Sequence, residues 1–146
     1  YLHFHHRNVR EASMMVAARV RKDLNFSQEM QANSQRLFLQ AASILDSHYL
    51  KSSEFLVGNR LSIADFAACA EVGQLSSDYT NILDLSEFPR LTQWLERMKQ
   101  VPGYAEVHFP LQEIGDIRDE PPSIDTLRSA NVGGLEILTK AVTQFS

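Results

Sequence analysis

The chain is 146 residues long, 44% hydrophobic and 22% charged, with a formal net charge of −4. That length supports one core of ordinary size, and the negative sign argues against a generic nucleic-acid binder, which usually carries a basic patch. No apolar run approaches the roughly 18 residues of a membrane span, neither end has a signal-peptide layout, and a single cysteine cannot build a disulfide framework, which favours a reducing, cytoplasmic location.

The chain opens YLHFHHRNVR, without a methionine and already at helical spacing, so a further segment is expected upstream. Counting about 100° per residue, Leu2, Val9, Val16 and Val20 share one face of a helix running to about Asp23. Arg10, His3, Met14 and Arg7 fall within about 60° of one another beside that face. The histidines scatter: His6 borders the stripe, His5 turns to the core side, and Phe4 lies round the back. Two ligands without a third make a weak metal site, so no metal is expected. The plain alternative for Arg10 is a surface arginine paired with Glu11 or Asp23, and for Met14 it is ordinary interhelix packing.

Asn25–Gln28 reads as a break, followed by a helix over roughly Gln28–Leu50. Met30, Leu37, Ala41, Ile44, Leu45 and His48 make its apolar stripe, with His48 at the core edge. Gly58-Asn59 marks a turn. Ser62 then precedes Ile63-Ala64-Asp65, a capping box in which each residue serves the other's amide, with Leu61 and Phe66 at the spacing of a hydrophobic staple. A catalytic Ser/Asp pair would need a base that the local sequence does not supply. The helix that follows is small-faced (Ala64, Ala67, Ala68, Cys69, Ala70, Gly73), which suits close helix approach and a central position. Cys69 reads as a small buried hydrophobe and Glu71 as a polar edge of that run.

A loop with Asp78, Asn81 and Asp84 leads to a helix that Pro89 opens. Leu91, Trp94, Leu95, Met98 and Val101 share one side of it, and Pro102-Gly103 stops it. A further helix covers about Tyr104–Ile114, and DIRDEPP (116–122) has a linker's composition. Ser123 caps a last helix, which Gly133-Gly134 interrupts before LEILTKAV resumes. The expected fold is all-α, a bundle of about six helices.

FLVGNRLSIADFAACAEVGQL followed by FPRLTQWLERMKQVPGY resembles the helical C-terminal domain of cytosolic glutathione transferases. Tyr1, Leu2, Phe4, His6 and Arg10 resemble the start of this domain in the theta class, and PPSIDTL resembles that class's C-terminal cap. The resemblance covers residues 1–127. It implies a domain over 1–116 and a linker with a helical tail over 117–146, placed to cover the substrate pocket. It also implies a thioredoxin-like N-terminal domain that binds the co-substrate glutathione and, in theta-like enzymes, supplies a serine for the thiolate. The helical domain would supply the electrophile pocket and much of a homodimer interface, and would be inactive alone. Arg10 would stabilise the thiolate or an anionic leaving group, while Arg7, Glu11 and Met14 would contact substrate. Arg7 is a departure, because theta relatives place an acidic or small residue there. The expected partners are small hydrophobic electrophiles, with no nucleic acid and no membrane. The same scaffold also serves non-catalytic interaction modules, and thiol reductases or dehalogenases share the two-domain plan.

Overall fold

Apolar residues recur at helical spacing along the chain, and the computed structural model, which describes Leu2–Gln144 without the side chains of Phe4 and Gln144, turns each such run into helix. Tyr1 and the Phe4 side chain, which carry part of the opening resemblance, lie outside the described residues. Seven α-helical segments form: α1 (Leu2–Val9), α2 (Glu11–Val20), α3 (Gln28–Ile44), α4 (Ile63–Gly73), α5 (Pro89–Met98), α6 (Tyr104–Ile114) and α7 (Ile124–Gln144). Because α1 and α2 continue one another, the expected bundle of about six helices is what folds. No strand forms among the described residues.

The opening helix differs from expectation in two places. It breaks at Arg10, where the Arg10 amide bonds the Arg7 carbonyl and the Ser13 amide bonds the Arg10 carbonyl, three residues back in each case. It also ends at Val20, ahead of a 3-10 turn over Lys22–Leu24. Ser27 then caps α3, its Oγ accepting the Met30 amide at 3.1 Å.

The α3 stripe needs correction. Phe38, Ala41, Ala42 and Leu45 are buried, whereas Met30 is 50% exposed and His48 is also exposed. A π turn over Leu45–Tyr49, closed by the Leu50 amide on the Leu45 carbonyl, adds a residue to the last turn. That addition rotates the following side chains away from the α-helical register. It brings Tyr49 against the core and leaves His48 outside.

The small-faced helix α4 is central as expected. Ala68, Cys69 and Val72 are buried with Val9 and Ala12 of α1–α2, Phe38 of α3, and Leu91, Trp94 and Met98 of α5. Two buried carboxylates organise the polar part of this core. Asp65 is fully buried and accepts four bonds, from the amides of Ser62 and Leu56, the Ser62 hydroxyl and the Trp94 indole. The capping box is therefore present, but the staple is not what fixes it: Leu61 is 39% and Phe66 50% exposed. Asp46 of the π turn caps α5 from a distance, its Oδ1 accepting the Arg90 amide at 2.7 Å and the Leu91 amide at 3.0 Å.

Beyond α6 the chain is pinned before it becomes a linker. Ile117 is buried in the core, its amide bonds the Thr80 carbonyl, and the Arg118 guanidinium grips Asn81. The last helix is continuous, which corrects the interruption expected at Gly133-Gly134. There α7 crosses close over α6. A Cβ on Gly133 would overlap the Phe109 ring, and one on Gly134 would lie 2.8 Å from Cγ of Pro110.

Candidate functional site

The stripe singled out on the opening helix lies on its solvent side. Arg7, Arg10 and His3 are exposed, Glu11 and Met14 are partly buried, and Val9 beneath them is fully buried. Arg10 occupies the turn that joins α1 to α2, in helical φ/ψ but outside either helix's regular ladder.

Arg10 does not pair with Glu11 or Asp23. Asp23 is held by Arg21 at 2.8 Å, and the group nearest Arg10 is Glu71 of α4, whose Oε1 stands 4.0 Å from Nε of Arg10. Among the described residues the Arg10 side chain makes no hydrogen bond, and it is 73% exposed. Glu71 is much more constrained. Its Oε2 accepts the Ser13 hydroxyl at 2.7 Å and the Gln74 amide nitrogen at 3.0 Å. The Gln74 nitrogen also reaches Ser13 Oγ at 3.2 Å. Gln74 is buried, and its backbone carbonyl accepts both the amide and the hydroxyl of Thr80.

The stripe thus acquires a floor from another helix: Glu71 and Gln74, joined to it through Ser13. Glu71 was legible as the one carboxylate in a run of small residues. Ser13 and Gln74 carried no sequence signal. Chemically, the arrangement presents a solvent-facing guanidinium with open donors, a fixed carboxylate beside it, and an adaptable thioether one turn on.

Ser62 and Asp65 serve structure. All of the bonds to the Asp65 carboxylate come from groups that shape the start of α4 and its seat on α5. Cys69 is free and buried, and burial pushes its thiol up to about 12, so it is no nucleophile at neutral pH.

A second polar cluster lies under α4. The rings of Tyr104 and His108 stack at 4.0 Å, and Tyr79 stacks on His108 at 5.3 Å. His108 Nδ1 bonds the Tyr104 carbonyl at 2.8 Å. Among the described residues, Nε2 of His108 and Oη of Tyr104 meet no partner in strict hydrogen-bond geometry, although the Cys69 backbone neighbours His108 and the Tyr79 and Cys69 side chains neighbour Tyr104. Both atoms crowd Gly73, where a Cβ would stand 3.3 Å from Tyr104 Oη and 3.4 Å from His108 Nε2. Burial holds the His108 imidazole below its usual range. A cavity of about 270 Å³ between α4 and α6 is lined by Tyr104, His108 and Cys69 of this cluster together with apolar residues that include Phe66, Ala70, Val101 and Val107. A larger groove of about 810 Å³ runs between α1 and α3 past His5, Asn8 and Leu39. Neither is lined by Arg10 or Met14. No group of three or more His, Cys, Asp or Glu side chains is placed to hold a metal among the described residues, and no helix is long and apolar enough to cross a membrane.

Compared with known proteins, residues 10–102 match the model of the family described as glutathione S-transferase, C-terminal domain. The match begins at Arg10 and ends at the Pro102-Gly103 stop, so it takes in α2–α5 and both buried carboxylates. No solved structure matches the chain.

Proposed function

The chain belongs to the glutathione S-transferase C-terminal domain family, and from that premise we propose that it is the electrophile-pocket half of a theta-like glutathione transferase. In this reading a thioredoxin-like domain of the same protein binds glutathione and supplies the serine that holds the thiolate. The helical half presents a wall to the second substrate and contributes to a homodimer, and the protein works in the cytoplasm. The reaction adds the glutathione sulfur to an electrophilic carbon, displacing halide or sulfate, or reduces an organic hydroperoxide. Rate comes from holding the two substrates together and from favouring the thiolate.

The observation that supports this most is the state of Arg10. An arginine on a helix joint, exposed and without a side-chain hydrogen bond among the described residues, has its donors available to an incoming anion. A guanidinium suits this task because its donors fork toward planar or tetrahedral oxyanions. Met14 beside it offers an apolar, pliable contact for hydrophobic electrophiles, and Glu11 and Arg7 flank it. The test is Arg10→Ala in the full-length protein, measured with sulfate-ester and alkyl-halide substrates. We expect kcat/KM to fall about tenfold or more, as for loss of a charged hydrogen-bond donor. Unaltered turnover would remove Arg10 from the site.

A second reading is a non-catalytic interaction module on the same scaffold. The solvent-facing apolar residues of α7 favour it: Val132, Leu135, Leu138 and Val142 are all more than half exposed. A stable protein partner with no glutathione-dependent turnover would support it.

A further inference from the structure

We propose that Glu71 is a fixed counter-charge that competes with small inorganic anions for Arg10 and so sets how tightly the pocket holds the anionic group leaving the electrophile; this rests on the reading of Arg10 given above. Glu71 cannot turn freely. One carboxylate oxygen is taken by Ser13 and Gln74, and Gln74 is itself buried, with its backbone carbonyl tied to Thr80. The carboxylate approaches Arg10 through Oε1, at 4.0 Å. A tight arginine–carboxylate pair uses both oxygens in two parallel bonds. Here Oε2 is engaged by Ser13 and Gln74 and the nearest approach to Arg10 is 4.0 Å, beyond hydrogen-bond reach, so that tight pair is not made.

The two side chains are therefore unequal. Glu71 is held and mostly covered, with 20% of its side chain exposed, while Arg10 is 73% exposed. Arg10 keeps its donors for another anion, and that anion must compete with Glu71 for the same positive charge. Solvent screens the pair because Arg10 is exposed, so the effect is several-fold. Ser13 acts in the opposite sense to a simple support. By holding Oε2 it keeps the carboxylate from closing fully on Arg10.

The experiment is inhibition of glutathione conjugation by inorganic sulfate in the full-length protein, at low ionic strength. Glu71→Gln keeps the size and an acceptor for Ser13 but removes the charge. We expect it to lower the sulfate inhibition constant by about threefold to tenfold. Ser13→Ala leaves Oε2 held by Gln74 alone, so the carboxylate turns further toward Arg10 and the constant should rise. In an Arg10→Ala background, Glu71→Gln should have no effect. A purely structural role would shift melting temperature without this pattern of opposite signs. Should Glu71→Gln not fold, exposed Ser13→Ala still decides by its direction. An unchanged or raised constant in Glu71→Gln, a lowered one in Ser13→Ala, or an equal shift with and without Arg10 overturns the proposal while leaving Arg10's role standing. Sulfate inhibition indifferent to Arg10→Ala alone sinks the pocket reading and Glu71's part with it.

Discussion

At the scale of single residues, the two buried aspartates tie helix starts to distant parts of the chain. Asp65 makes no ion pair among the described residues and is satisfied by four donors from three places in the chain. Asp65→Asn would set an amide N–H2 against the Ser62 amide and leave a buried donor unpaired. We expect a loss of about 2–4 kcal/mol, read from urea unfolding midpoints. His108 gives a pH dependence of known sign. Its imidazole is held below the ordinary value by burial, whereas the unfolded chain protonates near about 6.5. Below that pH the unfolded state binds more protons, so the stability contributed is whole above about pH 6.5 and falls as pH drops through it. His108→Gln should flatten that fall. Comparing midpoints of the two proteins at about pH 5 and pH 7.5 isolates His108 from the chain's other histidines.

Elements show where local rules gave way. The break at Arg10 lies in HRNVREAS, which has no glycine or proline to cause it, and the π turn at Leu45–Tyr49 is equally unannounced. Both place a residue off the helical register: Arg10 over α4, and Asp46 at the start of α5. The glycine pair of α7 is the opposite case, a strong local signal with a tertiary meaning. Alanine raises helix propensity by up to about 1 kcal/mol over glycine, and overpacking costs about 1–3 kcal/mol. At Gly133 the obstacle is the Phe109 ring, which can swing, so Gly133→Ala should be near neutral. At Gly134 it is the rigid ring of Pro110 at 2.8 Å, so Gly134→Ala should be destabilising. Hydrogen exchange of α6 and α7 amides in the two variants checks this ordering.

Across the whole molecule, stability is unevenly spread. Helices α1–α5 converge on one apolar cluster with Trp94 and Phe38 at its centre, whereas α7 packs chiefly on α6. Beyond Gly134 it carries mostly exposed side chains. Regions with few buried contacts open first. Amides of α7 after Gly134 should therefore exchange much faster than those of α4 and α5, which should open only with global unfolding. Equal protection throughout would mean that α7 is held by contacts outside the described fold.

The sequence by itself determined the all-α class, most helix positions, the α5 apolar side, the Pro89 and Gly103 boundaries, and the Ser62–Asp65 box. Each is set by neighbours within a turn or two, through periodicity, capping and φ preference, and the family resemblance followed from those same stretches. Tertiary structure alone decided the rest. It set Glu71 rather than Glu11 beside Arg10, sent Asp46 to cap a helix 44 residues away, drew Ile117 into the core, and made Gly133-Gly134 a crossing point. In each of these the partner is distant in sequence, so its charge, donor or bulk enters the local environment only once the helices have packed.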